Sequence, residues 1–125
     1  MKSVPRMRLL IGLFAAGSVY AGATEDRGKQ LYDQTCAVCH GADASGAMPG
    51  VPDLTERQGA LTKPDPELLR SLVKGTQTPG VPLAMPPRGG NPALTDADLR
   101  ATLGHLRRLT GVRSDRLQPI EETRQ

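Results

Sequence analysis

The sequence has no Trp, one Phe and two Tyr in 125 residues. Aromatic side chains usually dominate the energetics of a core. Phe14 and Tyr20 lie near the N-terminus, so Tyr32 is the sole aromatic of everything beyond them. The remaining apolar side chains are mostly Leu, Ala, Val and Met, and a chain of this size built from them buries only a thin core of its own. A large flat apolar group held inside would supply the missing buried area. Internal repeats, low-complexity tracts and convincing strand patterns are also absent. There are only two Cys, Cys36 and Cys39, and only two His, His40 and His105. A zinc site needs more good ligands than that pair of thiols finds here.

A long hydrophobic run is missing too. Lys2, Arg6 and Arg8 open the chain without an acid, and an apolar stretch runs from Leu9 to Val19. Val19-Tyr20-Ala21 and Ala21-Gly22-Ala23 then offer small residues at the spacing of a signal-peptidase site. An uncleaved membrane anchor is the competing reading. Leu9–Ala23 falls short of the roughly 20 residues that span a bilayer, so the expectation is a signal peptide over 1–21, with a cut after 23 as the variant. Removing Lys2, Arg6 and Arg8 from the 16 basic residues leaves them matched to the 13 acidic ones. The overall basicity therefore carries no argument for nucleic acid or membrane binding.

Beyond that point the chain reads as helices separated by irregular loops. Thr24 is the expected N-cap of a first helix, with Glu25 and Asp26 in its first turn. Gly28, Leu31, Tyr32 and Thr35 follow at helical spacing, and the helix is expected to run into Cys36–Cys39. Gly and Pro break the segment from Gly41 to Gly59. Asp65 is the expected N-cap of a second helix, with Pro66 at its first position and Gly75 at its end. Residues 76–93 are rich in Pro and Gly but punctuated by Val81, Leu83 and Met85, which a solvated linker would not need. Such a stiffened loop is suited to holding one side chain in place. Thr95 and Asp98 form a short-acid capping box, with Leu94 stapled to Leu99, and Gly111 stops the last helix. The polar stretch after it reads as a surface extension, pinned by Leu117 and Ile120 or frayed. The Arg-rich end of this helix reads mainly as a solvated face matched to the helix dipole, with a docking patch for an acidic partner as the second reading. Lys74 and Arg88 are placed nearer the loops, where they would steer a partner.

The stretch that organises these elements is Cys36-Ala37-Val38-Cys39-His40. Two thiols three apart with a His directly after the second read as a c-type haem attachment site. On a helical turn residues three apart share a face, so both sulfurs reach one porphyrin and the adjacent His reaches its iron. A thioredoxin-like dithiol would instead sit at a helix N-terminus within an α/β pattern. Three side chains compete for the second axial position. Met48 lies close behind His40 and would have to swing round the ring edge. Met85 comes after a full helix, with room to close from the other side. His105 sits mid-helix among Leu residues and reads as a packing residue. The pairing of His with Met in electron-transfer cytochromes favours Met85. With so thin a core, the haem-free chain is expected to be largely unfolded.

Gly28-Lys29-Gln30-Leu31-Tyr32, the Cys36–Gly41 motif, Pro52-Asp53-Leu54, Met85–Pro92 and Leu94–Leu99 together resemble a class I c-type cytochrome of the small bacterial monohaem kind. The resemblance implies an all-α cytochrome c fold of three to four helices with irregular loops around one covalently bound haem c, in a domain over 24–111 followed by a polar extension over 112–125. It implies Cys36 and Cys39 as thioether attachments, His40 as proximal ligand and Met85 as distal ligand to the iron. It further implies that the Pro52 carbonyl accepts a hydrogen bond from the His40 ring, that Leu54 packs on the haem, and that Gly28 and Tyr32 lie where the terminal helices cross. His105 stands where the family commonly has an aromatic, which leaves the tightness of that crossing open. The implied function is single-electron transfer between redox partner proteins in the periplasm, as a monomer or in weak transient complexes, by a carrier and not an enzyme. A haem-bearing subunit of a larger oxidoreductase complex is the alternative.

Overall fold

The structure is a computed structural model, described here for residues 19–114. Most of the expected signal segment 1–21 and of the extension 112–125, with Leu117 and Ile120, lies outside the described residues. The elements are α1 (Val19–Leu31), a wider π-helical turn (Tyr32–Cys36), α2 (Ala37–His40), α3 (Asp65–Lys74) and α4 (Asp96–Thr110). Short 3₁₀ turns lie at Ala60–Thr62 and Pro87–Gly90. Among the described residues there is no strand, only an isolated antiparallel bridge between Thr76 and Met85. The fold is all-α, as expected. No helix among the described residues is long and apolar enough to cross a membrane.

Two helix starts differ from the sequence reading. α1 does not begin at a Thr24 cap; Thr24 lies inside it. The residues before it, Ala21-Gly22-Ala23, contain no Pro to stop a helix from running through. In α3 the capping position is Pro64, and Asp65 is the first helical residue. The Asp65 carboxylate is engaged elsewhere: Arg107 of α4 holds it at 2.7 Å. The start of α4 is as expected. Asp98 N–H donates to Thr95 Oγ1 at 3.1 Å, and Thr95 N–H donates to Asp98 Oδ2 at 3.0 Å. Together these bonds satisfy two of the donors that a helix start leaves open. Gly111 closes α4 in the left-handed region, with φ 68°.

α1 packs chiefly on α4, and their crossing is tight. A Cβ at Gly28 would overlap the Ala101 carbonyl of α4, so only glycine lets the two backbones approach this closely. His105 fits the same crossing, its ring tilted 50° against that of Tyr32 with centroids 5.5 Å apart. The open question about this crossing is thus settled in favour of close packing. Tyr32 is fully buried and joins Leu54, Leu61, Leu68, Leu103 and Leu106 in the main core. Val112, just past the expected domain end, belongs to that core as well. A smaller cluster of Leu31, Leu94 and Leu99 contains the expected Leu94–Leu99 staple.

Arg107 ties three parts of the chain together. Its guanidinium donates to the carbonyls of Leu61, Lys63 (3.0 Å) and Val112 (3.1 Å) as well as to Asp65. It is therefore not part of a solvated basic face. Its planar fork of donors suits several acceptors at once. Arg108 reaches Glu25 of α1 at 3.5 Å, an exposed pair that adds little.

Candidate haem site

The π-helical turn determines how the two thiols are presented. The Ala37 N–H bonds back to the Tyr32 carbonyl, one residue further than in an α-helix, so the chain widens over Tyr32–Cys36 before tightening again into α2. Tyr32 anchors this stretch from below: its hydroxyl donates to the Gly41 carbonyl at 2.7 Å, next to His40. After Gly41 the chain folds under itself. The Gly46 and Ala47 N–H groups bond to the His40 and Cys39 carbonyls at 2.8 and 2.9 Å.

The Pro-rich loop is anchored just as firmly. Thr76 and Met85 exchange two backbone hydrogen bonds, both 2.9 Å. Gly75, with φ +75°, makes this possible. A Cβ there would come within 2.6 Å of the Met85 carbonyl. Met85 thus stands at a fixed point directly behind the end of α3. Arg88 holds the far side of the loop by donating to the Leu94 carbonyl (2.6 Å) and to Asp96 (2.7 Å). It is committed to the fold and is not the free steering charge that the sequence suggested.

Between these two walls lies a cavity of about 360 Å³. Cys36, Cys39 and His40 line one part and Met85 and Pro86 another, with Val38, Val51, Pro52, Val81 and Leu83 around them. None of the lining residues is buried in the chain's own fold. Both thiols are free, and burial, then the neighbouring Cys39, pushes Cys36 up to about 11. At neutral pH it is a thiol and not a thiolate. Burial holds His40 below its usual pKa, so its imidazole is neutral and able to ligate a metal. Its Nδ1 is buried and unpartnered. An unsatisfied buried nitrogen, two free thiols and a Met on one apolar cavity fit a covalently held, axially ligated haem.

The remaining candidates fall elsewhere. Pro52 lines the cavity, but the His40 ring makes no hydrogen bond to its carbonyl. Leu54 is in the main core with Tyr32 and is not among the cavity-lining residues. Its N–H bonds to the Ala44 carbonyl at 2.9 Å. Met48 is 41% exposed and lines no part of the cavity. His105 is at the α1/α4 crossing. A second hollow, of about 270 Å³ between α3 and α4, holds no thiol, His or Met. Sequence reasoning missed Val51, Thr76 and Gly75; a Gly-Thr pair directly after α3 carries no signal of the Met it will bond.

An all-α chain that gathers these donors on one apolar cavity defines a protein of the covalent-haem class. The family model described as cytochrome C oxidase, cbb3-type, subunit III matches residues 23–106. Cytochrome c-555 of Chlorobaculum thiosulfatiphilum is 34% identical over 79 residues, covering 63% of this chain and 88% of that protein. Lupanine 17-hydroxylase [cytochrome c] of a Pseudomonas species is 35% identical over 80 residues, covering 63% of this chain. The chain matches only 10% of that hydroxylase's length. No solved structure gives a significant match. The chain belongs to the c-type cytochromes of this family. Its cofactor is covalently bound haem c with its iron, and its chemistry is haem-based electron transfer.

Proposed function

We propose that this protein is an exported, periplasmic monohaem carrier that passes single electrons between partner proteins through a His/Met-ligated iron. The observation that carries the reading is that Cys36, Cys39, His40 and Met85 all line one cavity, while Met48 and His105 do not. Cys36 and Cys39 anchor the group covalently, which fixes its position in the cleft. His40, on the motif side, and Met85, on the loop side, would hold the iron. Were both bound to it, no position would remain for a substrate, which would separate a carrier from a haem enzyme. When bound, the haem supplies a one-electron iron couple. The apolar lining keeps water from the ligands, and Met is a soft ligand; both raise the potential. The Thr76–Met85 bonds hold the Met backbone in place, so little has to move when the charge changes.

Export is supported by the basic, apolar and small-residue order of the N-terminal segment. Working as the haem-bearing part of a larger oxidoreductase complex is the second reading. The matching family's being that of an oxidase subunit and the small share of the hydroxylase that is matched favour it.

The test is an absorption spectrum of the exported protein with two variants. A low-spin spectrum with the weak red Met–iron band is expected. Met85→Ala should abolish that band and Met48→Ala should keep it. A high-spin ferric spectrum in the unaltered protein sinks the ligand assignment.

A further inference from the structure

The hollow between α3 and α4 is lined by two kinds of side chain. Leu69, Val73 and Leu99 make it apolar, and Arg70 of α3 and Arg100 of α4 also line it. Both Arg are exposed, and neither guanidinium has a partner among the described residues. Lys74 is exposed and unpaired too, but does not line this groove. The acids around it are engaged: Asp96 with Arg88 at 2.7 Å, Asp65 with Arg107 at 2.7 Å and Glu67 with Lys63 at 3.1 Å. The chain leaves α4 beside the same groove. Val112 and Ser114 are buried while Arg113 between them is exposed, so the segment after Gly111 lies along the body. The Val112 carbonyl accepts from Arg107, whose other donors go to Leu61, Lys63 and Asp65, just ahead of Pro66. The late part of α4 thus meets the start of α3, whereas Leu99, early in α4, is in the cluster that packs on Leu69, Leu72 and Val73. The groove therefore runs from the chain's exit toward the end of α3.

We propose that the segment after Ser114 folds back into this groove, with Leu117 and Ile120 on Leu69, Val73 and Leu99, and with Glu121 and Glu122 at Arg70 and Arg100. The order of the segment fits the lining: Leu117, Pro119 and Ile120 are followed directly by the two Glu. The reach fits as well. From Pro66 to Val73 the groove is about 10 Å long at the helical rise. Residues 115–122 span up to roughly 26 Å when extended. Burial of two apolar side chains drives the docking. The carboxylate–guanidinium pairs at the exposed rim add little stability but fix the register. Docking stands independently of which residues ligate the iron. It does brace the helix behind the Met85 loop, because α3 ends at Gly75 and the next residue, Thr76, holds Met85.

The experiment is amide hydrogen exchange of the haem-loaded chain, read by mass spectrometry over residues 115–125. The amides of 117–122 are expected to exchange about tenfold more slowly than in a free peptide of the same sequence. Arg70→Glu combined with Arg100→Glu should remove that protection. Adding Glu121→Arg and Glu122→Arg to the same chain should restore it, which a merely unfolded variant could not do. Leu117→Ser with Ile120→Ser should abolish it on the apolar side. The absorption spectrum should stay unchanged throughout. Exchange at the free-peptide rate in the unaltered protein would overturn the proposal. So would protection that survives the Arg70 and Arg100 reversal, or that the second reversal fails to restore, because the segment would then lie elsewhere. Protection that falls on dilution would overturn it too, since the groove would then hold the segment of a second copy.

Discussion

The molecule has a helical side and a loop side, and they are built on different terms. On the helical side α1, α3 and α4 bury Tyr32 and a set of Leu residues, and the backbones touch at Gly28. On the loop side no cavity-lining residue is buried, although most are apolar. The first side is completed by the polypeptide itself. The second is completed only when a flat apolar group lies between its walls. A single small domain with so few buried side chains has little margin, so the stability of the helical side is expected to depend on the loop side being filled.

The largest expected effect tests that dependence. Replacing Cys36 and Cys39 by Ser removes covalent attachment, and the haem-free chain should lose most of its helical circular dichroism and its cooperative melt. A haem-free chain that keeps both would make the two sides independent. Next, Gly28→Ala forces a Cβ into the Ala101 carbonyl and should cost about 1–3 kcal/mol, as overpacked sites do. Its melting temperature should fall while its absorption spectrum stays put, since the strain is on the helical side alone. A shifted spectrum would mean that strain crosses to the ligands. Thr95→Ala breaks the capping box of α4 and should cost about 1 kcal/mol in denaturant unfolding.

The smallest effect concerns pH. Burial, then Arg108 and to a lesser degree Lys29, holds His105 below its ordinary value of 6.5, with Asp33 opposing. The unfolded chain then takes up a proton at a higher pH than the folded one. His105 therefore contributes stability above pH 6.5 that is lost as pH falls from 6.5 through the depressed folded value. His105→Phe should flatten the stability–pH curve in that window only. Asp43 and Asp98, also held below 3.8, account for further loss at lower pH.

What could be read in the sequence was local. The motif, the α4 cap and its Gly stop are decided by neighbouring residues, and so is the Pro-stiffened loop that carries Met85. What could not be read depends on partners far along the chain. Arg107 looked like one more surface cation because most of its acceptors lie 42 to 46 residues away, from Leu61 to Asp65. Asp65 looked like a helix cap for the same reason, since nothing beside it announces Arg107. Leu54 was expected at the haem; it is buried in the main core with Tyr32, and its N–H bonds to the Ala44 carbonyl. The π-helical widening before Cys36 is equally silent, because the residues involved are compatible with an ordinary helix.

The scarcity of aromatics gives Tyr32 another use. With no Trp, and with Tyr20 inside the expected signal segment 1–21, it would be the natural fluorophore of a chain cut there. It is fully buried, hydrogen-bonded to Gly41 and packed under the haem motif. A haem bound that close would drain its excited state, leaving the native protein dark. Emission should appear only when the motif and the helix crossing come apart. Unfolding of this chain can thus be followed by its own light, without a label, at the point where the helical side meets the loop side.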